Sequence, residues 1–386
     1  MSARSSSKRL KIGFVVDDTL DKPDGVQQYV LSLGVWLSGQ GHEVHYLAGA
    51  SKRQDVPHVH SLSRNISVKF NGNKLSIPLP ADRTRIARLL QREQYDILHV
   101  QLPYSPMLAH KIIALAGPKT AVVGTFHILP HGRLAAVGTH VLGRWTASTL
   151  KRFDKIVAVS AAAKQFAEQA FRLHDIQVLP NVVDTAVYRT AKPHAFDGNE
   201  TVIMFLGRLV PRKGCATLVE AAALLPQLTA QPFRVVVCGR GALEPELKAQ
   251  VKRLGIADKV SFEGFIAEAD KPGYMKASDV LVFPSLGGES FGIVLIEGMA
   301  ARHPLVLAGD NPGYRTVMHD RPELLFAPGD ATGLAKKLAH FLDDATARQA
   351  AVEWQKQHVG QFDVAVVGSQ LEEIYGQLLA KLHAPS

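Results

Sequence analysis

The chain has 386 residues, 46% of them hydrophobic and 20% charged, which excludes a disordered polymer and predicts a globular protein of about two domains. No apolar run reaches the roughly 18 residues needed to cross a bilayer, and the polar opening Met1–Arg9 reads as a loose tail without a signal core. A net charge of +9 and a pI of about 9.4 point to anionic partners, while Cys215 and Cys238, far apart, imply neither a disulfide framework nor a zinc cluster and fit a reducing cytosol.

Apolar runs ending in turns alternate with helical patterns along the whole chain, as in parallel sheets covered on both faces. In the first half the runs are Lys11–Asp17, Glu43–Gly49, Asp96–Gln101, Ala121–His127 and Lys155–Ala161, with a helix predicted from about Val26 to Ser38. The stretch from Val182 to Asn199 has weak periodicity and contains Pro193 and Gly198, so the hinge is predicted there. Runs at Thr201–Arg208, Arg234–Arg240, Val260–Ile266, Val280–Ser285 and Pro304–Gly309 repeat the rhythm, and residues 368–382 read as an amphipathic helix. The expected domains are therefore 1–182, with the last helix (about 368–386) packing back on it, and 183–367. Ligands of open parallel sheets bind at the carboxyl ends of strands, so two such sheets predict strand-end loops facing a cleft.

Four segments carry chemistry. Ser285-Leu-Gly-Gly-Glu289-Ser290-Phe291-Gly292-Ile293 leads from a buried strand into a helix that begins at about Phe291 and contains Glu297. Gly287 and Gly288 let backbone approach a ligand, and unpaired N–H groups near Gly292 and Ile293 suit an anion. Glu297 sits among apolar residues and needs hydrogen-bond donors, which ribose hydroxyls could supply. Arg208, Arg212 and Lys213 crowd one strand-end loop, which suits a diphosphate. Gly25 opens the first helix and can present bare N–H groups to the same anion. Arg85, Arg88 and Arg92 fall on one helical face, a stripe that suits an anionic membrane surface. Gly239-Arg240-Gly241 is an incomplete dinucleotide fingerprint and is read as structural.

The Gly-Gly-Glu-Ser-Phe-Gly-Ile-Val-Leu segment resembles the donor motif of the retaining GT-B glycosyltransferases of family 4, and within it the phosphatidylinositol mannosyltransferases. The resemblance spans essentially the whole chain and implies an α/β fold of two Rossmann-like domains. It implies that Glu289 contacts hydroxyls of the transferred sugar, with Gly288, Ser290, Phe291, Gly292 and Ile293 lining the donor site, and that Glu297 holds the ribose. Arg208 and Lys213 match the pair that grips the diphosphate, and His127 matches a histidine near the sugar hydroxymethyl group. Phe265 and Ile266 would border the base, Lys271 would cover it, and Glu268 would read guanine, whose N1–H and amino group suit an acceptor. On the acceptor side Gln27 matches an inositol-facing glutamine and Asn71 an asparagine, with Lys74 standing in for a missing arginine. The family's basic residue after Thr-Phe-His falls on Gly132, flanked by His131 and Arg133, and its His-acid pair falls on Gln101 and Leu102; His99 receives no role. The donor implied is a nucleotide sugar, GDP-mannose, with no tightly bound cofactor, no assigned metal ligand and a divalent cation left open. The implied partner is an anionic lipid at the inner face of the membrane, not nucleic acid. A UDP-sugar enzyme of the same family is the alternative, ahead of an NAD-dependent oxidoreductase or a non-catalytic nucleotide binder.

Overall fold

A computed structural model of the protein describes residues 9–384 except 23, 71–72, 79–80, 106, 128–147 and 319–320; the side chains of 66–70 and 73–78 are also outside it. The chain forms two units, Met1–Val182 with Val364–Ser386, and Val183–Asp363.

The first unit contains β1 (Lys11–Val16), β2 (Glu43–Ala48), β3 (Val59–Ser61), β4 (Asn65–Phe70), β5 (Asn73–Pro78), β6 (Ile97–Gln101), β7 (Ala121–Phe126), β8 (Lys155–Ala158) and β9 (Gln177–Val178). Seven of them pair in parallel in the order β3-β2-β1-β6-β7-β8-β9, while β4 and β5 form a separate antiparallel hairpin. β1, β2, β6 and β7 are buried almost throughout, as their unbroken apolar runs require of strands covered on both faces. The chain reverses direction across the sheet between β1 and β6, so the loops after these strands lie at a topological switch point. Asp17, at the end of β1, joins them: its carboxylate accepts from the Ala109 amide at 2.6 Å and from the Ser105 hydroxyl.

The last helix covers Val364–Leu382 and starts four residues before the sequence pattern suggests. Val364 and Val367 extend the buried stripe of Leu371, Ile374, Tyr375 and Leu378 into the core that contains Ile12, Leu33 and Leu37. Gly368, a poor helix former, stays within the helix because its bare face meets Trp36; a Cβ there would lie 2.4 Å from the indole. Tyr375 Oη lies 2.6 Å from His99 Nδ1, and Thr125 Oγ1 lies 2.6 Å from His99 Nε2, so this buried imidazole is satisfied on both nitrogens.

The second unit contains β10 (Thr201–Leu206), β11 (Phe233–Cys238), β12 (Val260–Gly264), β13 (Val280–Phe283), β14 (Leu305–Gly309) and β15 (Leu325–Phe326). All pair in parallel in the order β12-β11-β10-β13-β14-β15, the doubly wound order with its switch point between β10 and β13. The weakly periodic stretch where the hinge is predicted starts at the boundary between the two units and holds a helix, Thr185–Thr190, capped by the Asp184 carboxylate on the amides of Ala186 and Val187.

Candidate functional site

The switch point of the second unit brings two loops together. After β10 the chain runs to a short 3-10 turn, Pro211–Lys213, and Gly214 turns it into the next helix at φ 68°. A Cβ at Gly214 would lie 1.9 Å from the Pro284 carbonyl oxygen, so only glycine lets this turn rest against the loop after β13. The contact is fastened by the Arg212 carbonyl, which accepts from the Leu286 amide at 2.8 Å, with Ser285 Oγ 3.0 Å away.

Glu289 lies across this junction. Its Oε1 accepts from Arg212 Nη1, Lys213 Nζ and Ser285 Oγ, each at 2.8 Å. Burial acts most strongly on this carboxyl and pushes its pKa up, but Lys213 and Arg212 together outweigh it and hold the group below its ordinary 4.5. Burial conversely lowers the pKa of Lys213, against the pull of Glu289. A depressed folded-state carboxyl pKa stabilises the fold above the unfolded value and loses that contribution as pH falls through the folded value. The melting temperature is therefore expected to fall below pH 4.5, and Glu289→Gln to flatten that acid limb in a scanning-fluorimetry series. An identical slope in the variant would contradict the pairing.

Beyond Glu289 the helix Ile293–Ala300 begins two residues later than Phe291, where the sequence pattern places it. The delay comes from Gly292, at φ 109°, whose Cβ would lie 2.6 Å from the Tyr314 ring. Phe291 is buried, and its ring meets Phe362 edge-on. Gly287 and Gly288 also have positive φ, as an open turn around Glu289 requires.

Glu297 faces a different set of partners. Lys271 Nζ donates to Glu297 Oε1 at 2.6 Å and also lies 2.7 Å from Glu268 Oε2, and the Tyr188 hydroxyl donates to Glu297 as well. The side chains of Lys271 and Glu297 are 8% and 7% exposed, so this is a buried ion pair. Burial pushes the Glu297 carboxyl up, with Lys271 opposing. Burial alone would lower Lys271, but Glu297 and Glu268 outweigh it and raise it. The donors that the sequence demands for Glu297 are thus the protein's own lysine and tyrosine. Neither Tyr188 nor Ser285 stands out in the sequence: the first lies in weakly periodic chain, the second is one serine before a glycine pair.

Residues 23–187 match the family described as Glycosyltransferase Family 4, and residues 189–358 the family described as glycosyl transferases group 1. Over 376 residues the chain is 33% identical to phosphatidyl-myo-inositol mannosyltransferase of Mycolicibacterium smegmatis, covering 95% of this chain and 93% of that one. The chain is a family 4 glycosyltransferase. Its fold is GT-B: a glycosyltransferase from Rickettsia africae superposes with a TM-score of 0.77 at 20% identity over 97% of this chain and 99% of that one. The Anabaena HepE protein in complex with UDP does so with 0.67 at 20% identity, over 95% and 100%.

The structure of the glycosyltransferase assembles some expected site residues and not others. Lys213 and Glu289 are in direct contact, Arg212 is a second cation on Glu289, and Arg208 lies exposed on the same loop. Glu268, Lys271 and Glu297 form one cluster, and Phe265 and Ile266 lie on the loop after β12, with Phe265 57% exposed. Ser290 lies in the turn between Glu289 and Phe291.

In the first unit His127 is buried at the end of β7, its pKa pushed down by burial to about 3. Gln101 Nε2 points to the His99 carbonyl at 3.4 Å, leaving Oε1 to accept from His127 Nε2 at 2.6 Å, which fixes a neutral Nε2–H tautomer. Gly25 is the first residue of the helix Gly25–Gly39. Gln27 is buried, donating from Nε2 to the Thr19 carbonyl at 3.0 Å, and its Oε1 has no hydrogen-bond partner among the described residues. Arg85, Arg88 and Arg92 lie on the exposed side of the helix Arg83–Glu93, opposite buried Ile86 and Leu89, and Arg92 pairs with Glu93 at 2.7 Å. Asn71, His131, Gly132 and Arg133 lie outside the described residues, as does the side chain of Lys74 in β5. No described helix is long and apolar enough to cross a membrane.

Proposed function

We propose that this glycosyltransferase moves mannose from GDP-mannose, with retention of anomeric configuration, to a phosphatidylinositol-type lipid at the inner face of the membrane. The observation that carries the reading is the Arg212–Lys213–Glu289–Ser285 knot at the switch point of the second unit, where doubly wound sheets receive their ligands. Cleavage of the anomeric bond puts negative charge on the departing diphosphate and positive charge on the sugar. Lys213 and Arg208 would neutralise the former, helped by the amides at the start of the helix Ile293–Ala300, and Glu289 would accept from sugar hydroxyls. Fixed donors aimed at developing charge contribute on the order of several kcal/mol. Taking up the diphosphate would draw Lys213 away from Glu289 and open one of the three positions on its Oε1 to a sugar hydroxyl, so the two steps are coupled through one oxygen.

Glu268, held by Lys271 beside Glu297, supports guanine as the base. The identity to a phosphatidyl-myo-inositol mannosyltransferase supports the lipid, with Gln27 facing the inositol, Asn71 and Lys74 beside it, and the stripe of Arg85, Arg88 and Arg92 on the leaflet. His127, as a neutral hydrogen-bonding group, suits a sugar hydroxyl better than a proton transfer at pH 7. The test is product analysis with phosphatidylinositol vesicles and either GDP-mannose or UDP-sugars. A mannosylated lipid formed only from the GDP donor is expected; transfer only from a UDP-sugar would replace the donor assignment.

A further inference from the structure

A second group of convergent side chains lies in the first unit, at the β3 edge of its sheet. His45 on β2, His60 on β3 and Glu93, the last residue of the helix Arg83–Glu93, each offer one ligand atom, and these atoms all lie within 4.8 Å of one another. His45 Nδ1 lies 3.0 Å from His60 Nε2 and 3.9 Å from Glu93 Oε2. A tetrahedral ion with bonds of 2.0–2.2 Å separates its donor atoms by roughly 3.3–3.6 Å, so small side-chain adjustments would seat one.

The supporting groups are those of a built site. His45 Nε2 lies 3.1 Å from Glu43 Oε1, so Nε2 carries the proton and Nδ1 presents its lone pair. Tyr95 Oη and His60 Nε2 each lie 3.0 Å from that Nδ1, so an ion taking its lone pair displaces a hydrogen bond there, and the His58 ring stacks on His45 with 4.6 Å between centroids. His45 is buried, while His60 and Glu93 are half-buried, which leaves an approach for an ion. Lys11, on β1, is the competing cation: its Nζ lies 3.0 Å from Glu93 Oε2 and 2.8 Å from Glu43 Oε1. Arg92 adds a second positive group next to Glu93.

We propose that His45 Nδ1, His60 Nε2 and a Glu93 carboxylate oxygen bind one divalent transition ion of the zinc class, with water completing the tetrahedron and Lys11 withdrawing onto Glu43. Two imidazoles and one carboxylate select such an ion over magnesium or calcium, which prefer oxygen ligands. Burial holds both imidazoles below their ordinary pKa, His60 at about 4, so at pH 7 they are unprotonated and ready to ligate. The site is a clasp rather than a catalytic metal. β3 is held to β2 by only three residues, and residues 62–82 connect it to the arginine-bearing helix. An ion on His60 and Glu93 ties β3 and the end of that helix to β2.

The experiment is calorimetric titration of zinc into tag-free, chelator-treated full-length protein at pH 7.5, with thermal melts of the same samples. One zinc per chain and a raised melting temperature are expected, with cobalt giving the visible absorption of a tetrahedral centre. His60→Asn and Glu93→Gln should each weaken binding at least tenfold, and Lys11→Met should tighten it. Melts in chelator verify that each variant folds. Absence of binding, or affinity unchanged in both ligand variants, would overturn the assignment and leave the cluster as a hydrogen-bond network.

Discussion

Lys213→Ala is expected to lower kcat for the proposed mannosyl transfer by roughly 10²–10³-fold, the cost of removing one fixed donor from a developing anion. The effect should fall more on kcat than on the donor KM, because the diphosphate gains charge as the anomeric bond lengthens. Lys213 suits this role through its surroundings. It sits on the turn that Gly214 presses against Pro284, and its ammonium is already directed by Glu289. Arg212→Ala provides the contrast. Arg212 shares Glu289 in this structure but is not assigned to the diphosphate, so its loss should weaken sugar positioning and reduce turnover far less than loss of Lys213. Steady-state kinetics with varied nucleotide-sugar donor checks both, and equal losses in the two variants would contradict the division of roles.

Lys271→Met is expected to destabilise the second unit by about 3–5 kcal/mol, because it leaves Glu297 charged and buried without its cation. Burial makes the effect large: Lys271 and Glu297 are both nearly inaccessible and 2.6 Å apart, and Tyr188 alone cannot compensate a carboxylate. The double variant Lys271→Met with Glu297→Gln should recover most of the loss, since a neutral amide can use the Tyr188 hydroxyl and no longer carries charge. Urea denaturation of the three proteins is the measurement. A single variant as stable as the parent, or a double variant no better than Lys271→Met, would show that the pair is not the determinant.

Much of this arrangement is legible in the residues, and what is not has physical causes. The strands with unbroken apolar runs, such as β1, β6, β10 and β14, are found within a residue or two of their patterns because burial on both faces leaves no other solution. β3, β9 and β15 leave no such trace: they are two or three residues long and are held by register with a neighbour rather than by their own periodicity. The Glu289 and Glu297 segment is conspicuous for its glycines and its acids in apolar surroundings. Of its partners, Arg212 and Lys213 are equally plain as a basic strand-end loop, whereas Ser285, Tyr188 and Lys271 are tied to these acids only through the fold. The same holds for His45, His58 and His60. Their alternation suggests little more than a polar strand edge until parallel pairing of β2 with β3 and the end of the Arg83–Glu93 helix bring Glu93 beside two of them.

The most direct test of the central claim is a crystal structure of the protein with GDP-mannose or GDP bound, read at the pyrophosphate. The two phosphates are expected against the loop of residues 207–214 and the start of the Ile293–Ala300 helix, with Lys213 turned from Glu289 toward them. A diphosphate bound elsewhere, with the Lys213–Glu289 pair intact, would contradict it.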